Sequence, residues 1–309
     1  MSDTDLDAAW FGATPYAAHC RPKLSALLAS VGLDVAYTEA RGAYLYREDP
    51  FTGRVPVLDL VSGFGAGLLG HNNPELKACL KAQLDADVPF LAQCAERREA
   101  GLLAESLNRV LPGKTSYLCH FANTGAEAIE AVFKHAYRVR LEALRREFEA
   151  ISRSIERFFR DAEGEYPDIE VPGNEKDLGR FRDDLDQHNL AEFERFKSHP
   201  VVLAVKGSFH GKTSAALKVT FNQTYRESFE GLSAIQAEFI GPEDFKRLPD
   251  IRDAHAVEFL SPQIEDGRIV VSSVRRTRVM ALCLEVIQGE GGIRPLPADA
   301  LDTLARIQG

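Results

Sequence analysis

Anion chemistry is concentrated first in one short stretch, Asn123-Thr124-Gly125-Ala126-Glu127. The apolar run before it, Tyr117-Leu118-Cys119-His120-Phe121, has the length of a buried strand. After it, Ala126, Ile129, Val132, Phe133 and Ala136 recur at helical spacing, which predicts a helix from Ala126 to Arg140. A strand feeding a glycine-containing turn and then a helix aims free N–H groups, and the positive end of the helix dipole, at one point. That arrangement holds a phosphate, although turns of the same shape also occur with nothing bound. Two further clusters stand downstream, Gly207-Ser208-Phe209-His210-Gly211-Lys212-Thr213 and Glu285-Val286-Ile287-Gln288-Gly289-Glu290-Gly291-Gly292. The first offers an aromatic ring and an imidazole between glycines. The second offers two carboxylates, Glu285 and Glu290, following an apolar run that begins at Ala281.

The elements that must position these residues can be read in order. Leu24, Leu27, Leu28 and Val31 form an apolar helical patch ended by Gly32. Residues 43–46 and 57–61 alternate in strand fashion around the turn Asp49-Pro50-Phe51-Thr52-Gly53. Gly63, Gly65, Gly67 and Gly70 make a loop whose backbone can approach a ligand closely, or a mobile linker. Pro74 opens a helix to about Ala86, and a second runs from Glu96 to Leu111 with Leu102, Leu103, Leu107, Val110 and Leu111 facing inward. Leu141, Leu144, Phe148, Ile151, Ile155 and Phe158 extend the helix after Thr124 as a coiled-coil seam. Past a loop with Gly164, Pro167, Pro172 and Gly173, the residues Leu178, Phe181, Leu185, Phe193 and Phe196 predict a returning helix. Residues 141–199 thus read as a helical hairpin projecting from the core, an oligomer or partner surface rather than a catalytic element. Val201–Val205 and Ala281–Ile287 read as strands of a parallel sheet, apolar throughout because both faces are covered. Residues 221–280 are less legible, with strands indicated at 257–260 and 269–274, and a last helix opens near Leu296. Alternating strands and helices indicate an open α/β sheet.

Bulk properties narrow the partners. A chain of 309 residues has length for one large domain or two smaller ones. Its formal charge of -9 argues against a general nucleic-acid or anionic-membrane surface. Five cysteines, an odd count without a Cys-x-x-Cys pair, read as scattered reduced thiols rather than a disulfide framework or a metal site. The acidic start lacks the character of a secretory signal, and no apolar run reaches the roughly 20 residues of a membrane helix. A soluble, cytoplasmic protein is expected.

Taken together and in this order, the three clusters resemble the class III aminotransferases, the ornithine, acetylornithine and GABA group of pyridoxal-phosphate (PLP) enzymes. The family patterns are N-[ST]-G-x-E-A, G-x-F-H-G-[RK]-T and E-P-I-Q-G-E-G-G. A fourth match, Ser62-Gly63-Phe64 through Gly70-His71-Asn72-Asn73-Pro74, resembles its S-G-x…G-H-x-H-P segment. The resemblance implies a fold-type-I transferase architecture, a mostly parallel sheet with helices on both faces, carrying the helical-hairpin insertion 141–199. It implies an N-terminal helix and small β-meander over 1–70 and the N-terminal part of the large PLP-binding domain over 71–309. PLP is the implied cofactor, with Thr124, Gly125 and Ala126 as its phosphate cradle and Phe209 stacked on its ring. His210 is a positioning residue, despite its appeal as an acid–base group, and Glu285 lies near the cofactor's phenolic oxygen. Val286 replaces the family's usual proline. Phe64 and Glu290 are implied substrate contacts. The implied partners are a small-molecule amino donor and a keto acid, acting on a homodimer, with no nucleic acid, membrane or metal.

The family's ring-nitrogen aspartate and Schiff-base lysine both fall later than Gly309 in its pattern. Lys206, Lys212 and Lys218 belong to or flank the second cluster, and none has the strand-end setting of that lysine. The expectation is therefore an incomplete aminotransferase fold with no catalytic lysine of its own, inactive alone. Alternatives are a racemase or aminomutase on the same scaffold, or a non-catalytic split protein that recruits a partner through its helical hairpin.

Overall fold

The computed structural model describes residues 14–89, 94–113, 116–165, 172 and 177–307. The chain falls into two units, Met1–Arg97 and Arg98–Gly309.

In the first unit, helices α1 (Pro15–His19) and α2 (Pro22–Ser30) precede an antiparallel meander of β1 (Glu39–Arg41), β2 (Tyr44–Asp49) and β3 (Gly53–Leu58). The β2–β3 turn closes because the Asp49 carboxylate accepts from the N–H groups of Phe51 and Thr52 at 3.0 and 2.9 Å. After β3, Asp59 accepts from the N–H groups of Val61 and Ser62 and meets His71 Nε2 at 2.7 Å. Gly42 and His71 exchange two backbone hydrogen bonds, and any Cβ at Gly70 would lie 3.0 Å from the Gly42 carbonyl oxygen. The glycine-rich loop is thus pinned at both ends rather than a slack linker. Helix α3 (Pro74–Asp85) follows, its first N–H groups capped by Asn73.

In the second unit, α4 (Arg98–Val110) leads to the 41-residue helix α5 (Gly125–Glu165) and its return, α6 (Leu178–Ser198). Strand β4 (Val201–Val205) then enters the sheet, followed by α7 (Ser214–Lys218), α8 (Gln223–Arg226), β5 (Gln236–Ile240) and α9 (Leu248–Ala254). Next come β6 (Ala256–Glu265), β7 (Arg268–Thr277), β8 (Val279–Cys283), the short β9 (Ile287–Gln288) and β10 (Arg294–Pro295), and α10 (Ala298–Ile307). β4 lies between β5 and β8, parallel to both. All five β4 residues are buried, and they alternate between two cores. Val201, Leu203 and Val205 pack with Phe245, Leu248, Ile251 and Ala300 on one face. Val202 and Ala204 pack with Phe133, Ala215 and Val219 on the other. Helices therefore cover both faces of the parallel sheet.

Three sequence expectations change here. The run Tyr117–Phe121 forms no strand: its residues find no ladder partner among the described residues, Leu118 is fully exposed, and the Tyr117 N–H is taken by Asn108 Oδ1 at 2.7 Å. An apolar run supplies a strand's side chains but not its neighbour. The apolar face of α4 is also uncovered, with Leu102, Leu103 and Val110 all exposed, because no described element packs on it. The strand read from Ala281 to Ile287 ends at Cys283, and β9 instead pairs antiparallel with β10.

The helical hairpin exists, but it does not project bare. Strands β6 and β7 form a ten-pair antiparallel ribbon laid against it. Leu144, Phe148, Ile151, Phe193 and Phe196 pack with Val257 and Phe259, and Phe148 stacks on Phe193 with centroids 4.7 Å apart. Further out, Ile155, Phe159 and Leu185 pack with Leu260 and Val271. The buried seam passes through Phe159, with Phe158 only half-buried, because a 3.6-residue helix drifts away from a strict 3.5-residue repeat. Helix α6 also seals the outer edge of β6. Asn189 accepts from the Leu260 N–H at 2.7 Å and donates to the Leu260 carbonyl at 2.8 Å. Glu192 accepts from the Glu258 N–H at 3.0 Å, while His188 Nε2 lies 2.9 Å from the Glu258 carbonyl oxygen. Pro262, next along that edge, has no N–H to offer.

Candidate functional site

Thr124 caps α5 in a reciprocal pair with Glu127, the T-x-x-E arrangement of a capping box. The Glu127 N–H donates to Thr124 Oγ1 at 3.1 Å, and the Glu127 carboxylate accepts from the N–H groups of Asn123 and Thr124 at 2.7 and 3.2 Å. Glu127 is therefore a helix-capping group. It consumes two of the amides at the turn and leaves those of Gly125 and Ala126 without a protein acceptor among the described residues. The Thr124 hydroxyl keeps its own hydrogen to give. A Cβ on Gly125 would meet nothing within 4 Å, so the turn is open on that side. Three donors at the positive end of a long helix suit a phosphate.

The second cluster is fastened to this turn from two sides. Gly211 sits at φ +126, and a Cβ there would come 2.6 Å from the Ala126 Cβ, so only glycine lets the two turns touch. Glu130, one turn into α5, accepts from the N–H groups of Ala215 and Ala216 at 2.8 and 3.3 Å and so caps α7. Inside the cluster, buried Thr220 accepts from the His210 N–H at 3.0 Å and donates to the Gly211 carbonyl at 2.9 Å.

The third cluster is tied to the second. Glu285, just past β8, accepts from the Phe209 N–H at 2.9 Å and from the Gly289 N–H at 3.3 Å. Buried Gln288 donates to the Lys206 carbonyl at 2.7 Å. Gly291 has to be small, since a Cβ would lie 2.8 Å from the Gly207 carbonyl oxygen. Thr124, Gly125, Ala126, Phe209, His210 and Glu285 thus assemble from three separate stretches beside the carboxyl ends of parallel strands, where open α/β sheets bind ligands. Phe64 lies in the other unit, at φ +57 with its ring fully exposed.

Electrostatics set two of the side chains. Burial holds the His210 imidazole below its ordinary pKa against the opposing pull of Glu285, and His210 Nε2 is buried without a partner. An imidazole in that state is neutral in the fold where it would charge in the unfolded chain. Below about pH 6.5 the unfolded state takes up the extra proton, so stability falls as pH drops through that value. Replacing His210 by leucine should flatten the urea-unfolding free energy between about pH 5 and 7, by no more than one proton of slope. Equal slopes in both proteins would contradict a neutral buried imidazole. The Tyr225 hydroxyl, hydrogen-bonded to the Glu290 carboxylate, is held above its ordinary pKa. Lys212 Nζ stands 3.6 Å over the Tyr225 ring and 6.0 Å from the Phe209 ring. Sequence reasoning missed Glu130, which acts across 85 residues, Tyr225, which lies in 221–280, and Thr220, whose loop contacts follow no helix or strand period. Among the described residues no group of three or more His, Cys, Asp or Glu is placed to hold a metal, and no helix is long and apolar enough to cross a membrane.

The aminotransferase class-III family model matches residues 28–308. Among curated proteins, acetylornithine aminotransferase 1 of Bordetella parapertussis is 27% identical over 274 residues, 88% of this chain and 49% of that protein. A [LysW]-aminoadipate semialdehyde/glutamate semialdehyde transaminase of Sulfolobus acidocaldarius is 24% identical over 247 residues, 80% of this chain and 42% of that protein. Among solved structures, the ornithine aminotransferase of Toxoplasma gondii aligns with a TM-score of 0.55 at 15% identity, over 99% of this chain and 54% of that one. That likeness is one of fold, the fold-type-I architecture. The chain spans about half the length of these relatives.

Proposed function

Because the chain belongs to the class III aminotransferases, we propose that it provides the phosphate and ring contacts of a PLP-dependent enzyme moving an amino group between an amine or ω-amino acid and a keto acid. The observation that carries this reading is the fastening of three remote clusters around one set of free N–H groups, through Gly211 on Ala126 and Glu285 on Phe209. The Thr124 hydroxyl and the N–H groups of Gly125 and Ala126 would donate to the coenzyme phosphate. Phe209 would cover one face of its ring, held in place by the Glu285 carboxylate on its amide. PLP, when bound, supplies an electron sink next to the substrate's amino-bearing carbon. His210 would back this wall as a neutral group, and Glu290, hydrogen-bonded to Tyr225, would face the substrate.

On this reading none of the lysines near the site bonds covalently to PLP. Lys218 Nζ donates to the Glu230 carbonyl, and Lys212 rests on the Tyr225 ring. Titration of the chain with PLP, followed by induced circular dichroism in the coenzyme's absorption band, should show saturable binding that borohydride does not fix. Pyridoxal, which lacks the phosphate, should bind at least about tenfold more weakly, a loss of about 1.4 kcal/mol. Equal binding of the two compounds would remove the phosphate cradle from the proposal.

A further inference from the structure

A cavity of about 860 Å³ lies wholly within the first unit, between β1 and one side of α3. The helix presents Lys77, Ala78 and Lys81 to it, residues three and four apart that share a face. Arg41 lines it from β1, with Tyr37 just ahead of that strand. The two walls are braced against each other. Asn72, at φ +50, donates from Nδ2 to the Ala40 carbonyl at 2.8 Å, and the paired hydrogen bonds of Gly42 and His71 join the same two segments. Three cations thus face one space, and Arg41, Lys77 and Lys81 have no ion-pair or hydrogen-bond partner among the described residues. The carboxylate of the lining, Glu39, is already paired with Arg54 at 2.7 Å. Like charges four residues apart on a helix repel, so Lys77 and Lys81 weigh against α3 until an anion lies between them.

We propose that this cavity binds a nucleoside triphosphate. Charge selects the phosphates. Three free cations on two walls, in a chain whose net charge is -9, match a chain of phosphates better than a single carboxylate or phosphate. The Arg41 guanidinium suits two phosphate oxygens at once, and the lysines act as point charges along the chain. Size and apolar surface select the nucleoside. The volume falls in the range of roughly 300–1,000 Å³ that small-molecule sites occupy, far beyond what inorganic phosphate fills. Tyr37, 44% exposed, offers a ring on which a base can stack, while Leu45 and Ala78 supply apolar wall. The amides at the start of α3 take no part, because Asn73 Oδ1 already accepts from the N–H groups of Glu75 and Leu76. Side-chain charge at an exposed site therefore provides the grip, which makes it sensitive to salt. The proposed PLP contacts all belong to the second unit, so the two anion sites share no residue.

The test is calorimetric titration of the full chain with magnesium-free ATP, which should bind saturably and more weakly as salt is added. Adenosine, which lacks the phosphates, should bind at least about 30-fold more weakly, and inorganic triphosphate, which lacks the base, at least about fivefold more weakly. Two variants separate charge from stacking. Lys77→Gln combined with Lys81→Gln should cut ATP affinity at least about tenfold. Tyr37→Ala should cut it about fivefold and leave inorganic triphosphate binding unchanged. All three positions are exposed. If a variant fails to fold, amide exchange on the unaltered chain still decides: ATP should slow exchange across Thr38–Arg41 and α3 and leave Gly125 and Ala126 as they were. Absence of saturable binding, equal affinity for ATP and either fragment, undiminished affinity in the double lysine variant, or protection at Gly125 in place of β1 would each overturn the proposal.

Discussion

Replacing Gly125 by glutamate should weaken PLP binding by roughly 100-fold or more, about 2.7 kcal/mol, while leaving the protein as stable as before or slightly more so. Gly125 is the first residue of α5, in a conformation that other residues adopt freely, and a Cβ there meets only open space. A glutamate at that position places a negative charge at the positive end of the helix, an arrangement worth about 0.3–1 kcal/mol to the fold. Exchanging glycine for a residue with fewer unfolded conformations adds to the gain. The same carboxylate, set beside the amides of Gly125 and Ala126, would repel a phosphate held by them. Binding and stability should therefore move in opposite directions, which general misfolding cannot imitate. Thermal unfolding and PLP titration on the same preparation check it. Unchanged PLP affinity would mean that the phosphate sits elsewhere.

The largest loss of stability is expected from Gly211→Ala. The added Cβ would lie 2.6 Å from the Ala126 Cβ and 3.2 Å from the Ala216 Cβ, at a φ of +126 that L residues rarely adopt. Backbone strain of this kind costs about 1–3 kcal/mol, and overpacking costs about as much again. A combined loss of about 2–6 kcal/mol is expected from urea unfolding. The structure can relieve the clash only by parting the turn at Ala126 from the loop holding Phe209, so PLP binding should weaken at least about tenfold in the molecules that remain folded. A Gly211→Ala protein with unaltered stability would show that this contact does not hold the two turns together.

What the sequence disclosed and what it concealed divide along physical lines. The helix start after Thr124 is legible because a glycine turn followed by apolar residues at 3- and 4-residue steps is a local signal. The T-x-x-E cap that fixes it lies in the same four residues and emerged only from the hydrogen bonds. Val201–Val205 is legible because a strand covered on both faces is apolar at every position. The helix beginning at the Thr124 turn shows its 3- and 4-residue period as far as Ile155, beyond which the drift between two nearly equal periods moves the seam from Phe158 to Phe159. Tyr117–Phe121 misled because strand character depends on a neighbour as well as on side chains. The reach of Glu130 to Ala215 and of Glu285 to Phe209 spans 85 and 76 residues and has no sequence period to announce it. The ribbon of β6 and β7 was hardest to read, because its cover, helix α6, reaches it across 71 residues of sequence and satisfies strand backbone with side chains.

Helix α5 runs without a proline or a break for 41 residues, roughly 60 Å at about 1.5 Å per residue. Its opening turn presents the amides of Gly125 and Ala126, and its far half is clamped between α6 and the ribbon. A stiff rod held this way is a lever with no joint along its length. The two ends therefore cannot be aimed independently: the packing that fixes the far half against the ribbon also fixes the direction in which those two amides face.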